Sequence, residues 1–200
     1  MRTPNILPAL LIVLGAGCAD DTASTTPQTI YEPPVGVRGL LRIGEPLPPL
    51  VAAGWVNGPP PVVGAPGQTG LVVDVTALWC PVCKTTAPSL VALAEHYKPK
   101  GIAFVTLMGD DRLIAENYVA AQKIVWPTGY EATKRMLSDL GAYQNDRMMP
   151  NADGIPTIYL VDPAGTVRWH DERNRFRHRP AEELVRKLDT AIQELLTGKK

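Results

Sequence analysis

Cysteine is scarce in this chain of 200 residues: there are three, Cys18, Cys80 and Cys83. Three sulfurs cannot build a disulfide-stapled scaffold, and the odd count gives one of them a different fate from the other two. Net charge is missing as well, with 20 Lys+Arg against 20 Asp+Glu. A chain balanced in this way has no global attraction for phosphate backbones, which excludes nucleic acid as the primary partner. A membrane-spanning run is also lacking at the N-terminus. The apolar stretch from Ile6 to Leu14 is interrupted by Pro8, and it is less than half of the roughly 20 residues that a spanning helix needs. No internal repeat is visible. What is present, 45% hydrophobic residues over 200 positions, suffices for one globular domain with some length left over for tails.

The first 17 residues carry one positive charge, Arg2, then the apolar run, then Gly15-Ala16-Gly17 immediately before Cys18. This resembles an export signal, and the small-residue triplet ending in a cysteine resembles a bacterial lipobox, with Gly15 standing where a leucine is expected. The expectation is a signal peptide over 1–17, removed on export, and a lipid on Cys18, which then becomes the first mature residue. One anchor plus one pair resolves the odd cysteine count. Residues 18–43 are polar and broken by prolines, so they are expected to form a flexible tether, with the folded domain over 44–200. Ten of the 20 prolines lie between Pro27 and Pro66; regular helix is disfavoured there, and short strands and turns can lead into the domain.

The texture changes at residue 70. Leu71-Val72-Val73-Asp74-Val75 is a β-branched apolar run of buried-strand type that leads into Trp79-Cys80-Pro81-Val82-Cys83. Ala87, Leu90, Val91 and Ala94 fall at helical spacing within 84–97, and Ile102, Phe104, Val105 and Leu107 mark a strand over 101–108. Asp110 or Asp111 can cap a helix running to about Lys123, and 131–141 predicts another that ends at a glycine. Thr157 to Val161 predicts a strand, Asp162-Pro163-Ala164-Gly165 a tight turn, and Thr166 to Trp169 the returning strand. The last helix opens with Pro180, carries Glu182 and Glu183 near its start and Leu184, Leu188, Ala191, Ile192 and Leu195 on one face, and stops before Gly198. Strands separated by helices, closing with a hairpin and a helix, predict a three-layer α/β sandwich.

Cys80 and Cys83 stand two residues apart at a strand-to-helix junction. That arrangement places the first sulfur at a helix N-terminus, where unpaired N–H groups and the helix dipole favour a thiolate, and the second one turn inside. Cys80 is then the exposed sulfur that attacks a disulfide, and Cys83 resolves the mixed disulfide. Pro81 fits the first helical turn. A zinc half-site would need two more ligands, yet Cys18 is the only other cysteine, and His96, His170 and His178 show no paired spacing.

The segment from Leu71 to Lys84, followed by Pro88, resembles the active-site segment of the thioredoxin superfamily, and Gly154-Ile155-Pro156-Thr157 resembles its cis-proline loop. The exported context and the helical insertion before Gly154 point to the TlpA/ResA-like branch of membrane-anchored thiol-disulfide oxidoreductases. The similarity covers about residues 44–197. It implies a thioredoxin-like three-layer sandwich with a central mixed β-sheet flanked by helices. It makes Cys80 the nucleophile, Cys83 the resolving thiol and Pro156 the cis residue facing the disulfide, a form that costs an X–Pro bond only about 0.5–1 kcal/mol. Ile155 and Pro156 would free a backbone edge for an extended substrate segment, and Trp79 would cover one side of the sulfurs. Asp74 takes the place of a buried acid beneath Cys83, able to exchange a proton with it, through water, at neutral pH. The alternative for Asp74 is a strand-edge residue reaching solvent, and for Pro156 the start of a strand.

The resemblance implies protein disulfide or dithiol substrates, an upstream membrane redox partner, a monomer, and no dissociable cofactor beyond the Cys80–Cys83 disulfide. Pro81-Val82 between the cysteines offers neither charge nor side-chain donor, so direction is not readable from the motif; the branch resemblance favours a reductase. Arg168, Arg173, Arg175, Arg177 and Arg179, with His170 and His178, could dock a partner or anionic lipid, but Asp171 and Glu172 dilute the run, and a solvated loop is the expectation. Three rivals share the fold. A peroxiredoxin-like thiol peroxidase would want threonine three residues before the attacking cysteine, where Ala77 stands. A copper metallochaperone would use Cys80 and Cys83 as soft ligands with a distant histidine. A non-catalytic interaction domain would not need both cysteines.

Overall fold

The computed structural model describes residues 40–132, 134–142, 155–171 and 180–198. All of them lie in the unit spanning Pro33–Lys200. Leu71 to Val75 form the middle of β2 (Gly70–Thr76), every residue of which is buried. Burial on both faces demands neighbours on both edges, and β2 has them: β3 (Ile102–Met108) pairs parallel on one side and β5 (Thr157–Val161) antiparallel on the other. Three further pairings complete a mixed six-stranded sheet of order β1-β4-β3-β2-β5-β6, with β1 (Gly54–Val56), β4 (Thr128–Tyr130) and β6 (Val167–His170). The expected hairpin is β5–β6, turned at Asp162-Pro163-Ala164-Gly165 by Asp162 Oδ1, which accepts from the amides of Ala164 and Thr166 at 2.9 Å each.

The period of two along β2 separates two cores. Leu71, Val73 and Val75 join Val105, Leu107, Tyr159 and Val161 with Met136, Leu137 and Leu140, at and just after α3 (Lys134–Asp139). Val72 joins Phe104, Ile158 and Leu160 with Leu90, Leu93 and Tyr97 of α1 (Pro81–Tyr97), Tyr118 and Val119 of α2 (Arg112–Gln122), and Leu184, Leu188 and Ile192 of α4 (Ala181–Thr197). Helix on sheet on helix is the three-layer sandwich the sequence predicts.

The helix ends follow local chemistry. Asp111 caps α2 by accepting from the Ile114 amide at 2.9 Å, and α2 stops at Lys123, which takes φ 57°. Gly198, at φ 66°, ends α4. Pro180 is the N-cap of α4 at ψ 144°, one position outside the helix, where the sequence pattern placed it inside. α3 is shorter than the expected 131–141. The chain leaving β4 stays tied to the end of β3, with the Glu131 amide on Asp110 O at 2.8 Å and the Ala132 amide on Met108 O at 2.9 Å, so helix begins only after these bonds are made.

The domain begins earlier than residue 44. Leu41 is buried in the core beside Tyr159, whose hydroxyl accepts the Leu41 amide at 3.3 Å. Downstream, the Gly44 amide bonds to Val167 O at 2.8 Å and the Leu47 amide to Gly165 O at 2.8 Å, which lays this segment along β6. Leu40, Leu47 and Leu50 pack on the same core. The tether expected over 18–43 therefore gives way to packed chain before its last residues; polarity marked the tether, but the apolar pair Leu40-Leu41 carries the boundary.

Candidate active site

β2 delivers its C-terminal end to the turn Ala77–Trp79, and Cys80 opens α1. Cys80 is the N-cap, with extended backbone at φ −83° and ψ 107°, and Pro81 follows in the first turn, where its missing N–H costs no bond. The Cys80 amide bonds to Ala77 O at 3.1 Å and its carbonyl accepts from the Lys84 amide at 3.3 Å. Its sulfur accepts from the Cys83 amide at 3.1 Å, the place that a serine or aspartate oxygen takes in an ordinary cap. Cys80 and Cys83 are joined as a disulfide with Cα atoms 5.3 Å apart. In this oxidised form both cysteines are equally buried, each 3% exposed. Exposure therefore does not distinguish them, contrary to the expectation for Cys80; the capping bond and the helix N-terminus do.

Trp79 and Val82 are half-buried and pack on the cluster that holds both sulfurs. Just upstream, the Leu78 amide donates to Asp110 Oδ2 at 3.1 Å, which fastens the active-site turn to the end of β3. Burial and the neighbouring Asp111 raise the Asp110 carboxyl, against the lowering effect of the Leu78 bond; burial is the largest cause.

The Ile155–Pro156 bond is cis. Thr157 pairs with Val75, so Pro156 lies at the end of the sheet from which the Cys80 turn departs. Ile155 is buried in the same cluster as Cys80 and Cys83. Gly154, the first residue of that motif, lies outside the described residues, as do Cys18, the signal segment and His178 with Arg173, Arg175, Arg177 and Arg179. Of the basic run, Arg168 is exposed and 3.9 Å from Asp162, and His170 is half-buried.

Asp74 is 5% exposed in the central strand, which removes the strand-edge alternative. It shares the face of β2 with Val72, the face that α1 covers. Burial drives its carboxyl up to about 7, and a hydrogen bond from Thr106 Oγ1 at 3.3 Å opposes that rise. Thr106 is its cross-strand partner on β3, and Thr106 Oγ1 in turn accepts from Trp126 Nε1 at 2.8 Å. Next to it on the same face, Thr76 Oγ1 lies 3.3 Å from the Tyr118 hydroxyl, whose titration is pushed up to about 12 by burial first and by Asp74 second. Thr106, Trp126 and Tyr118 escape sequence reading, and Asp110, read there as a candidate helix cap, instead holds the Leu78 amide while Asp111 caps α2. Only the parallel register of β2 and β3 sets Thr106 opposite Asp74, and Trp126 belongs to no periodic pattern. Among the described residues, no group of three or more His, Cys, Asp or Glu could hold a metal ion.

The model of the AhpC/TSA family matches residues 64–170, which include both cysteines, Asp74 and Pro156. The chain is similar to the thiol-disulfide oxidoreductase ResA of Bacillus subtilis (strain 168), 22% identical over 99 residues, which is 49% of this chain and 50% of that protein. It is also similar to ResA of Bacillus thuringiensis (strain Al Hakam), 22% identical over 140 residues, 70% of this chain and 75% of that one. The matched region thus spans half the length of the first relative. Among solved structures, a putative thiol:disulfide interchange protein DsbE from Chlorobium tepidum superposes with TM-score 0.60 at 22% identity, over 78% of this chain and 99% of that one. A yeast mitochondrial 1-Cys peroxiredoxin gives TM-score 0.60 at 16% identity, over 78% of each chain. The fold is thioredoxin-like, and the chain belongs to the AhpC/TSA family.

Proposed function

We propose that this chain is a thiol-disulfide oxidoreductase that reduces protein disulfides outside the cytoplasm through Cys80 and Cys83. The observation that carries the reading is the sulfur of Cys80 at the N-cap of α1, accepting the Cys83 amide. Once the disulfide is reduced, that amide and the helix N-terminus stabilise a thiolate on Cys80. The thiolate attacks one sulfur of a substrate disulfide; a Cys80–substrate bond forms, and the other substrate sulfur leaves as a thiolate that takes a proton from water. Cys83 then gives its proton, through water, to Asp74 on the α1 side of the sheet. The Cys83 thiolate attacks Cys80, the Cys80–substrate bond breaks, and the second substrate thiolate departs, taking back through water the proton that Asp74 received. The substrate has gained two electrons and two protons, and the chain holds the Cys80–Cys83 disulfide, which a membrane dithiol partner reduces again.

The names of the ResA relatives and the paired cysteines support this reading. A thiol peroxidase is disfavoured by Ala77 three residues before Cys80, and the neighbouring Thr76 has its hydroxyl beside Tyr118. Export and anchoring rest on Gly15-Ala16-Gly17-Cys18, and no helix among the described residues is long and apolar enough to cross a membrane. In this reading Cys18 carries the lipid, and Cys18→Ala moves the protein from the membrane to the soluble exported fraction.

The deciding experiment reduces the chain, removes the reductant, and offers a protein disulfide, hydrogen peroxide or Cu(I). Stoichiometric reduction of the disulfide with formation of the Cys80–Cys83 bond is expected. Turnover of peroxide alone, or tight copper binding without disulfide reduction, overturns the reading.

A further inference from the structure

Asp74 does not meet Thr106 by chance of packing. Thr106 is gripped from two directions by the segment that leads into β4: its amide donates to Pro127 O at 3.0 Å, and its hydroxyl accepts from the indole of Trp126 at 2.8 Å. The indole N–H can only donate, so it must occupy a lone pair of Thr106 Oγ1. The hydroxyl has one proton left to place, and Asp74 Oδ2 at 3.3 Å is the acceptor it faces. Trp126 is itself held, buried and packed on Phe104 with ring centroids 5.3 Å apart.

We infer that Trp126 and Thr106 are positioning residues for Asp74: the indole orients the Thr106 hydroxyl, and the oriented hydroxyl makes an obligatory donor to the carboxylate. Trp126 packs in the cluster across the sheet from the one that holds both sulfurs. The effect is to keep Asp74 available as a proton acceptor in a site where burial works against the charged form. The surroundings leave Asp74 little other support. β3 is uncharged throughout, and β5 sets Ile158 directly across from Asp74. The buried face of α4 is aliphatic. α1 contributes Cys83, Thr86 and Tyr97 to its buried face, and Thr86 Oγ1 donates to Val82 O. α2 contributes the neutral phenol of Tyr118, on which Asp110 also acts.

The inference rests on the proposed role of Asp74, and the test separates the two. In the oxidised full chain, the Asp74 carboxyl is titrated by its carbon-13 signal, which needs no turnover. Thr106→Val keeps the shape and removes the donor; the midpoint is expected to rise by about 1 pH unit. Thr106→Ser retains the donor and should leave the midpoint in place, and Trp126→Phe should raise it by less than Thr106→Val. An unchanged midpoint in Thr106→Val, or an equal rise in Thr106→Ser, overturns the inference. In the same variants the pH profile of the resolving step is measured by stopped flow. A midpoint that rises while that profile stays fixed keeps the relay and removes Asp74 from the proton path.

Discussion

The backbone N–H of Cys83 points at the sulfur of Cys80 across 3.1 Å. The two cysteines are thus related by a hydrogen bond as well as by a disulfide, and the relation is one-way, because Cys80 receives and Cys83 gives. The electrostatic asymmetry between them comes from this geometry, since their exposures are the same.

Reduced protein treated with a limiting amount of iodoacetamide at pH 7 should be alkylated first at Cys80, as read by peptide mass spectrometry. Cys80→Ser is expected to abolish disulfide exchange, whereas Cys83→Ser should accumulate a stable mixed disulfide with substrate. First alkylation at Cys83 would reverse the two roles.

Asp110 tethers the turn ahead of Cys80 through the Leu78 amide at 3.1 Å. Asp110→Ala removes the acceptor at a half-buried site beside the exposed Leu78, so the loss of stability should be modest, about 1 kcal/mol. The first attack, which depends on how the turn presents Cys80, should slow in Asp110→Ala and recover in Asp110→Asn, which keeps an acceptor oxygen. Single-turnover kinetics of both variants decide it.

Leu41 lies in the core from a position that composition assigns to the tether. Leu41→Ala should cost about 2–5 kcal/mol, the usual range for truncating a buried leucine. For a chain of this size that corresponds to a fall in melting temperature of about 4–20 °C. A chain beginning at residue 44 should melt lower than one beginning at residue 40, in a calorimetric comparison of the two.

These residues also mark where the sequence speaks and where it falls silent. Leu71 to Thr76 is legible as a strand because one buried on both faces is a continuous apolar run, but the burial of Asp74 within it follows only from the central place of β2 in the sheet. The cysteines and Pro156 are legible because their spacing from strand and helix starts is itself the motif. Thr128–Tyr130 is not: three residues behind Pro127 have no room for a period, and only pairing with Thr106 and Leu107 on one side and Gly54–Val56 on the other makes them a strand. The same holds for Gly54–Val56, whose partners lie more than 70 residues away. Thr106 takes its place opposite Asp74 from the pairing of β2 with β3, and Trp126 meets Thr106 from the chain entering β4, relations that no local pattern encodes.

The last prediction concerns the cost of burying Asp74. Its carboxyl is raised from 3.8 to about 7, with burial as the main cause. The unfolded chain therefore releases this proton at lower pH than the folded chain does. Stability is fully present below about pH 4, where both states hold the proton, and it falls as pH rises towards 7, where the folded protein must carry a buried charge. A rise of about 3 pH units corresponds to on the order of 4 kcal/mol lost across that window. Asp74→Asn cannot ionise, so it should remove this part of the pH dependence: the variant should be more stable than the parent at pH 8 and close to it at pH 4. The same variant should slow the resolving step by about 10²–10⁴-fold, the range for losing a general base, with little effect on the first attack by Cys80. Urea denaturation at the two pH values and stopped-flow mixing with substrate disulfide measure both halves. Equal stability gaps at pH 4 and pH 8 would show that Asp74 does not titrate in this window, and unchanged resolution would show that Cys83 loses its proton by another route.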